Sequence, residues 1–341
     1  MKGVILAAGK GTRMLPLTLA RPKPLVPILD VPMIEHIIRG MATAGVDRIC
    51  IVVGYLQEMI RDQLGDGSRL GVEVEYCVQE QAGGTGDAVL HAAEFIGGDH
   101  FFLSWGDIMV APPNYAALAE RYRAGDCDGV LGANRVEDPY EGAAVYQTDG
   151  YLSDIVEKPE KGTSKSNHNN AGVFILPAAM VEVLGSVPLS PRGEIEMTSA
   201  LLAYAAAGGR LAVHEIEGYW DDVARPANVI RLQATMMEFS HHPASIIADS
   251  AQIDPGAVLK PPLYIGPEAV VGAAVVGPNA VIGAGCNVAD GCTLSDSACF
   301  AGAAVGVGTH AEHAIFEMGA RVGSGTSLTG SGSEPIYVPA E

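Results

Sequence analysis

Basic residues are scarce in this chain of 341 residues, which carries 21 lysines and arginines against 40 aspartates and glutamates and a net charge of −19. A surface with so little positive charge repels nucleic acids and anionic membranes, so we expect neither as a partner. An anionic small substrate fits this charge only where the few cations are concentrated. Five of the 21 lie between Lys2 and Lys23, at the start of the chain.

Paired cysteines and long apolar runs are also lacking. The six cysteines include no Cys-x-x-Cys pair, so we expect no disulfide framework and a reducing compartment. No segment reaches the roughly 18 consecutive apolar residues that span a bilayer, and the apolar run at the N-terminus is too short for a signal peptide. We therefore expect a cytoplasmic protein.

The pattern of apolar residues differs between two parts of the chain, whose length suits two domains. Up to about residue 235, short apolar runs alternate with amphipathic stretches. The runs predict strands at 3–8, 48–53, 72–78, 101–105 and 129–133, and the stretches predict helices at 32–44, 55–64, 87–95, 115–124 and 227–240. This order predicts an α/β domain over 1–240 with a mainly parallel sheet covered by helices.

From about residue 245, apolar residues recur every six positions, with one slip of frame. They are Ile247, Ile253, Leu259, Ile265 and Val271, then Val276, Ile282, Val288, Leu294 and Phe300. A six-residue repeat predicts a parallel β-helix over 241–330, with about 18 residues in each three-sided coil. The segment 331–341 is rich in Gly, Ser and Pro, and we expect a flexible tail.

A glycine-rich turn, Ala8-Gly9-Lys10-Gly11-Thr12-Arg13, follows the first strand. Such a turn lets backbone N–H groups approach a phosphate closely. Its spacing fits neither the Walker A loop nor G-x-G-x-x-G. Its continuation, Gly11-Thr12-Arg13-x-x-Pro16-x-Thr18 and then Arg21-Pro22-Lys23-Pro24, resembles the sugar-1-phosphate nucleotidylyltransferase family.

Four further motifs, in the order typical of that family, extend the resemblance over the whole first domain. It implies a Rossmann-like, mainly parallel mixed sheet with helices on both faces, followed by a left-handed parallel β-helix. It also implies an enzyme that joins a nucleoside triphosphate to a sugar 1-phosphate and releases pyrophosphate. By the same resemblance, Arg13, Lys23 and Lys158 are the catalytic cations, and the nucleotide contacts Leu6, Ala8, Gly9, Gly11 and Thr12.

The segment Gln79-Glu80-Gln81-Ala82-Gly83-Gly84-Thr85-Gly86-Asp87-Ala88 resembles the family's base-reading motif, which implies that Gln79, Gly84 and Thr85 contact the base. A Gln amide offers one donor side and one acceptor side to a pyrimidine edge. Gln79 with Gly-Thr favours UTP, and dTTP comes next. Ala82 departs from the pattern, because uridylyltransferases resembling this one often carry a second Gln there. Guanylyl transfer to mannose or heptose 1-phosphate remains an alternative.

The resemblance implies two magnesium ligands, Asp107 and Asp222. Asp107 ends the motif Phe102-Leu103-Ser104-Trp105-Gly106-Asp107, at the end of a strand where open α/β sheets bind ligands. Two carboxylates together with phosphate oxygens suit Mg²⁺. Asp221 is a neighbouring alternative to Asp222, and Ala224 departs from the glycine that is usual after Asp-Val.

For the sugar side, the resemblance implies that Lys158 holds the sugar phosphate and Glu157 accepts hydrogen bonds from sugar hydroxyls. Gly142, Asn170 and Thr198 match sugar-contacting positions. The sequence leaves glucose and N-acetylglucosamine both open.

The hexad repeat leaves the role of the C-terminal part open. Stacked coils present flat faces, so we expect a homo-oligomer or a regulatory role. Acetyl transfer through His310 or His313 is an alternative. A non-catalytic relative that only binds nucleotide sugars is another, although such relatives tend to lose the Arg, Lys or metal Asp that this chain retains.

Overall fold

The computed structural model describes residues 1–239 and 245–340, so the predicted boundary at 240/241 lies outside the described residues. In chain order to residue 239 the strands are β1 (Lys2–Ala7), β2 (Pro27–Ile28), β3 (Val31–Pro32), β4 (Arg48–Val53), β5 (Glu73–Val78), β6 (Phe101–Trp105), β7 (Met109–Val110), β8 (Gly129–Arg135), β9 (Ala143–Thr148), β10 (Tyr151–Glu157), β11 (His168–Leu176), β12 (Leu211–Glu215) and β13 (Trp220–Asp221). The helices are α1 (Leu17–Ala20), α2 (Met33–Thr43), α3 (Gln57–Leu64), α4 (Thr85–His91), α5 (Ala93–Ile96), α6 (Pro113–Arg123), α7 (Ala179–Leu184), α8 (Met197–Ala206) and α9 (Pro226–Phe239).

The chain forms two compact units that are not simple halves of the sequence. The first comprises residues 1–10, 22–25 and 33–220. The second comprises 11–21, 26–32 and the chain from Asp221 onward. The linear domains expected from the sequence did not anticipate that two short N-terminal segments belong to the second unit.

A nine-stranded sheet forms the centre of the first unit, in the order β5-β4-β1-β6-β11-β8-β12-β10-β9. Strands β5, β4, β1 and β6 are mutually parallel, and β11 runs antiparallel to both β6 and β8. The predicted mainly parallel mixed sheet is therefore confirmed. The carboxyl ends of the parallel strands meet at one edge, where open sheets of this kind bind ligands.

Side chains alternate between the two faces of the sheet along the central strands, and a helix-covered core buries each face. On β4, Ile49 and Ile51 face a core shared with α2 and α6, whereas Cys50 and Val52 face a core shared with α4 and α8. Strands buried on both faces read as continuous apolar runs, which is why these strands were predictable.

The predicted helices agree with the structure except near residue 92, where the helix expected at 87–95 is divided into α4 and α5. On α2, the buried side chains Ile34, Ile37, Ile38 and Met41 lie at helical spacing and form its inner face. Among the described residues, no helix is both long and apolar enough to cross a membrane.

The predicted β-helix is confirmed in the second unit by three parallel sheets. The first contains β14 (Ser245–Ile247), β17 (Leu263–Ile265), β20 (Ala280–Ile282), β23 (Ser297–Cys299), β26 (Ala314–Phe316) and β29 (Ile336–Val338). The second contains β15 (Gln252–Ile253), β18 (Val270–Val271), β21 (Asn287–Val288), β24 (Ala304–Val305) and β27 (Arg321–Val322). The third contains β16 (Val258–Leu259), β19 (Val275–Val276), β22 (Thr293–Ser295), β25 (His310–Glu312) and β28 (Ser327–Thr329).

The stacked side chains follow the predicted repeat with one correction. Ile265 pairs with Ile282, and Ile282 pairs with Cys299, so Cys299 rather than Phe300 continues this ladder. The frame slips by one residue again before Cys299, because these coils hold 17 residues and not 18. Phe300 is still buried, one position beyond the ladder.

The segment 331–341, expected to be a flexible tail, differs from that expectation as far as Ala340. Its strand Ile336–Val338 pairs in parallel with Ala314–Phe316 and adds a sixth strand to the first sheet. The Tyr337 hydroxyl donates to Glu317 Oε2 at 2.9 Å. The apolar alternation of Ile336 and Val338 covers the end of the core, which a composition of small residues had concealed.

Two side chains fix the N-terminal segments within the second unit. Asp30 Oδ2 accepts a hydrogen bond from the Ala284 N–H at 2.6 Å. Burial raises the pKa of Asp30, and hydrogen bonds from Ala284 and Tyr264 oppose that shift. Arg21 forms a buried ion pair with Glu317, and its guanidinium lies 5.6 Å from the centre of the Phe300 ring.

Candidate active site

The glycine-rich turn begins where β1 ends, and its two halves belong to different units. In the first unit, Gly106 donates its N–H to Leu6 O at 2.8 Å, and a Cβ at Gly106 would lie 2.8 Å from the same oxygen. Only glycine allows so close an approach, so Gly106 brings the following Asp107 to the carboxyl end of β1. Ala8 and Gly9 follow β1 directly, and no atom lies within 4 Å of a Cβ built on Gly9.

Lys23 and Asp107 form an ion pair in the first unit, with Nζ 2.7 Å from Oδ2. The Lys23 side chain is 9% exposed, whereas that of Asp107 is 35% exposed. The carboxylate therefore remains accessible to solvent while a shielded cation lies beside it. The structure brings together these two predicted site residues, which are 84 positions apart.

In the second unit, Gly11, Thr12 and Arg13 form a tight turn. Gly11 has a positive φ of 61°, and its carbonyl accepts hydrogen bonds from Met14 N at 2.9 Å and Thr18 Oγ1 at 3.0 Å. Buried Met14 anchors the turn, while Thr12 and Arg13 are exposed. In the part of the chain that the structure describes, no carboxylate lies within ion-pair distance of Arg13, so its charge is available to an anion.

Gln79 lies directly after β5 and is buried, with 8% of its surface exposed. Its Nε2 donates to Asp87 Oδ2 at 2.7 Å and lies 3.3 Å from Gly84 O. Gly84 has a φ of 98°, and a Cβ there would lie 2.5 Å from Ile195 O. Its glycine identity is thus explained by both backbone conformation and space.

The base-reading segment is hydrogen-bonded to the segment that leads to Thr198, a predicted sugar contact. Ile195 N donates to Gly83 O and Gly86 N donates to Ile195 O, both at 2.8 Å. Met197 N donates to Thr85 Oγ1 at 3.2 Å. These bonds connect two of the predicted subsites.

Gly142 and Lys158 lie together on the predicted sugar side. Lys158 N donates to Gly142 O at 2.7 Å, and Lys158 has a positive φ of 43°, an uncommon conformation for a lysine. A Cβ at Gly142 would collide with Asn169 Oδ1, which accepts a hydrogen bond from Ala143 N at 3.0 Å. Gly142 therefore allows Asn169 to hold the start of β9.

Asn170 provides an unused hydrogen-bond donor. It is 2% exposed, and its Oδ1 accepts from Gly172 N at 3.1 Å, while its Nδ2 has no partner among the described residues. Buried polar atoms without partners are rare, and each calls for an explanation.

Charged and polar neighbours from more than one segment influence the pKa of Glu157. Desolvation, followed by the negative charge of Glu196, raises the pKa of Glu157, and Lys158, Arg192 and a hydrogen bond from Thr198 act in the opposite direction. Glu157 nevertheless keeps an exposed surface. The Arg192 guanidinium pairs with Glu196 at 2.8 Å, so the segment 192–198 places charges of both signs beside Glu157. Both residues precede α8, so the helical i, i+4 rule does not apply to them and no signal in the sequence indicated this pairing.

Asp221 is engaged in several hydrogen bonds at the start of α9. Asp221 is 5% exposed, and its oxygens accept hydrogen bonds from Val223 N at 2.8 Å, Asn228 Nδ2 at 3.0 Å and Arg231 at 2.7 Å. Asp221 therefore organises the start of α9. Asp222, which is half-buried, remains the predicted metal ligand.

The two predicted magnesium ligands, Asp107 and Asp222, lie in different units. Within the described ranges, no group of three or more His, Cys, Asp or Glu side chains is arranged to hold a metal by itself. Asp107 and Asp222 offer hard carboxylate oxygens, and Mg²⁺ is commonly held by one or two carboxylates together with substrate phosphates.

A sequence model described as Nucleotidyl transferase matches residues 2–238. The chain belongs to this family. Among curated members, it is 30% identical to the low-salt glycan biosynthesis nucleotidyltransferase Agl11 of Haloferax volcanii, over 74% of this chain and 71% of that protein. It is 32% identical to a glucose-1-phosphate thymidylyltransferase of Streptomyces griseus, over 70% of this chain and 66% of that protein.

Other members of the nucleotidyl transferase family are longer than this chain. It is 34% identical to the bifunctional protein GlmU of Methanococcus maripaludis, over 76% of this chain and 62% of that protein. Against GlmU from two other strains of that species, the match spans 53% of the relative's length. The chain thus matches only about half to three fifths of these bifunctional relatives.

Solved structures show the same catalytic fold. A Bacillus anthracis structure, assigned as a glucose-1-phosphate thymidylyltransferase and complexed with sucrose, superposes with a TM-score of 0.63 at 27% identity. The superposition covers 69% of this chain and 94% of the Bacillus anthracis chain. The family predicted from the motifs is confirmed: the homologues are sugar-1-phosphate nucleotidyltransferases.

Proposed function

We propose that this chain transfers a nucleotidyl group from a pyrimidine nucleoside triphosphate to a hexose 1-phosphate, with release of pyrophosphate. UTP is the favoured donor and dTTP the next, and glucose 1-phosphate or N-acetylglucosamine 1-phosphate is the acceptor. The observation that carries the proposal is the Lys23–Asp107 ion pair at the carboxyl end of the parallel strands. A shielded cation beside an accessible carboxylate suits a phosphate and its counter-cation.

The chemistry needs no covalent intermediate. A phosphate oxygen of the sugar phosphate attacks the α-phosphorus of the triphosphate, a new P–O bond forms, and the α–β bridging bond breaks with its electrons leaving on pyrophosphate. The task of the protein is to position two anions and to offset their repulsion. We assign Lys23 and Lys158 to that offset and Arg13 to the departing pyrophosphate.

Magnesium completes the proposal, with Asp107 and Asp222 as its protein ligands. A bound magnesium ion would neutralise phosphate charge in the transition state. On the sugar side, Glu157 would accept hydrogen bonds from hydroxyls, and the unpaired Nδ2 of Asn170 would donate one. Because nucleoside triphosphates and sugar phosphates are cytoplasmic metabolites, we propose that compartment, and we propose a homo-oligomer formed through the β-helix.

The test is a grid of pyrophosphate-release assays with Mg²⁺. It crosses UTP, dTTP, CTP, ATP and GTP with the 1-phosphates of glucose, N-acetylglucosamine, galactose and mannose. We expect turnover with UTP or dTTP and one of the first two sugars. Turnover with GTP alone would keep the chemistry and overturn the base assignment, whereas binding of nucleotide sugars without any turnover would identify a regulatory relative.

A further inference from the structure

The amide of Gln79 is already engaged on its donor side. Its Nε2 donates to Asp87 Oδ2 at 2.7 Å and also to Gly84 O at 3.3 Å. Both hydrogens of the amide nitrogen are therefore used inside the protein. What Gln79 can still offer to a ligand is its carbonyl oxygen Oε1, an acceptor.

Chemistry, and not the choice of rotamer, fixes this orientation. An ionised carboxylate only accepts hydrogen bonds, so the side of the amide that faces Asp87 must be its NH₂ group. A flipped amide would place Oε1 against a carboxylate oxygen, and in a buried position two acceptors without a proton between them repel each other.

The surrounding sequence makes room for this contact. A Cβ at Gly83 would lie 2.5 Å from Asp87 Oδ2, so only glycine at position 83 lets the carboxylate occupy its place. His91, one helical turn after Asp87 on α4, has Nε2 3.5 Å from the same oxygen. Three residues thus hold the amide of Gln79 in one orientation. Gly83 and Gly84 contribute by lacking a side chain, and Asp87 contributes by its negative charge.

We propose that Asp87 is a positioning residue that fixes Gln79 as an acceptor toward the base and thereby makes the site select uracil or thymine over cytosine. Uracil and thymine carry N–H at N3, whereas cytosine presents a lone pair there. An acceptor at that position bonds to the first two bases and repels the third. The inference rests on the proposed function and assigns the base specificity to a residue outside the base contacts.

The experiment compares kcat/KM for UTP and CTP in the full-length wild type and in Asp87→Asn. An Asn side chain can present either its oxygen or its NH₂, so it permits both orientations of Gln79. We expect the UTP-to-CTP ratio to fall about ten- to a hundredfold, because a mismatched buried hydrogen bond becomes a matched one. The KM for the sugar 1-phosphate should stay within about twofold.

Two further variants separate this role from a structural one. Glu94→Gln removes the same charge from an exposed position on the next helix, and its ratio should equal that of the wild type. In a Gln79→Ala background, Asp87→Asn should no longer change the ratio, because the residue through which it acts is gone. A parallel fall of UTP and CTP turnover in Asp87→Asn, with the ratio preserved, would overturn the inference.

A binding measurement keeps the inference testable where Asp87→Asn does not fold. The wild type should bind UDP at least about tenfold more tightly than CDP in calorimetry, and equal affinities would contradict the role given to Asp87. Failure of the proposed function has a different signature, namely a wild type that turns over neither UTP nor dTTP.

Discussion

Arg21 and Lys23 are separated by a single proline, and each pairs with a distant carboxylate, yet their surroundings differ. Glu317, the partner of Arg21, is 4% exposed and also accepts hydrogen bonds from Met318 N at 2.6 Å and Tyr337 at 2.9 Å. Asp107, the partner of Lys23, is about one-third exposed. One carboxylate is enclosed by donors, and the other remains open to solvent.

This difference extends to the regions in which the two pairs lie. On the predicted sugar side of the first unit, Asn170 Nδ2 has no partner among the described residues and Glu157 has a raised pKa. In the second unit, the oxygens of Asp221 and Glu317 have several donors each. The polar groups predicted to bind a ligand are partly unsatisfied within the fold, whereas those that hold the second unit together are satisfied. Substitutions in the first region should therefore lower turnover, whereas substitutions in the second should lower the free energy of unfolding.

The largest effect is expected at Asp107. Asp107→Asn should lower kcat by at least about a hundred- to a thousandfold, because a neutral amide neither holds magnesium well nor offsets the charge of Lys23. It retains an acceptor for Lys23, so the free energy of unfolding should change by only about 1–2 kcal/mol. Pyrophosphate release and denaturant unfolding measure the two quantities. Near-normal turnover would remove Asp107 from the site.

The reverse pattern is expected at Glu317. Glu317→Ala should lower the free energy of unfolding by about 3–5 kcal/mol, because it leaves the Arg21 guanidinium buried without its carboxylate. The folded protein should keep its kcat within about tenfold. The control is the double variant Arg21→Met with Glu317→Leu, in which most of the lost stability should return. Unchanged unfolding of Glu317→Ala in urea would show that this pair does not hold the segment.

The same contrast between stability and activity is expected for two consecutive residues, Asp221 and Asp222. Asp221→Ala should lower the free energy of unfolding by about 1–3 kcal/mol, because three donors lose their acceptor. Asp222→Ala should instead lower kcat and raise the magnesium concentration needed for half-maximal rate. If the magnesium dependence shifts for Asp221→Ala and not for Asp222→Ala, the assignment of the ligand must be reversed.

The smallest effect concerns the pH dependence of stability at Glu157. Its folded pKa is raised, so its favourable contribution is present below the unfolded pKa near 4.3 and is lost as the pH rises through the folded pKa. At pH 7 the ionised group therefore weakens the fold. Glu157→Gln should raise Tm by about 1–2 °C at pH 7 and by nothing at pH 4, while weakening binding of the sugar phosphate. A lower Tm at pH 7 would contradict this account of the site.

Local sequence predicted what depends on local periodicity. The strands of the first unit and the ladder through Ile265 and Ile282 follow from apolar spacing, since burial repeats with the geometry of the backbone. The slip that replaces Phe300 by Cys299 was missed, because both residues are apolar and Phe300 is the one that lies six positions after Leu294.

What the sequence could not predict involves partners far apart in the chain. Glu317 lies 296 positions from Arg21, and no spacing rule connects them. Arg192 and Glu196 gain meaning only beside Glu157, and Asp87 only beside Gln79. The motif residues were identified by family resemblance, whereas the residues that orient them emerge from the fold.

The most direct test of nucleotidyl transfer follows two labels through one reaction. UTP labelled at the α-phosphorus or at the γ-phosphorus is incubated with glucose 1-phosphate or N-acetylglucosamine 1-phosphate, Mg²⁺ and the full chain. The account predicts that the α label appears in the nucleotide sugar and the γ label in pyrophosphate, in equal amounts. Label in inorganic phosphate, or none transferred to sugar while a nucleotide sugar still binds, would contradict it.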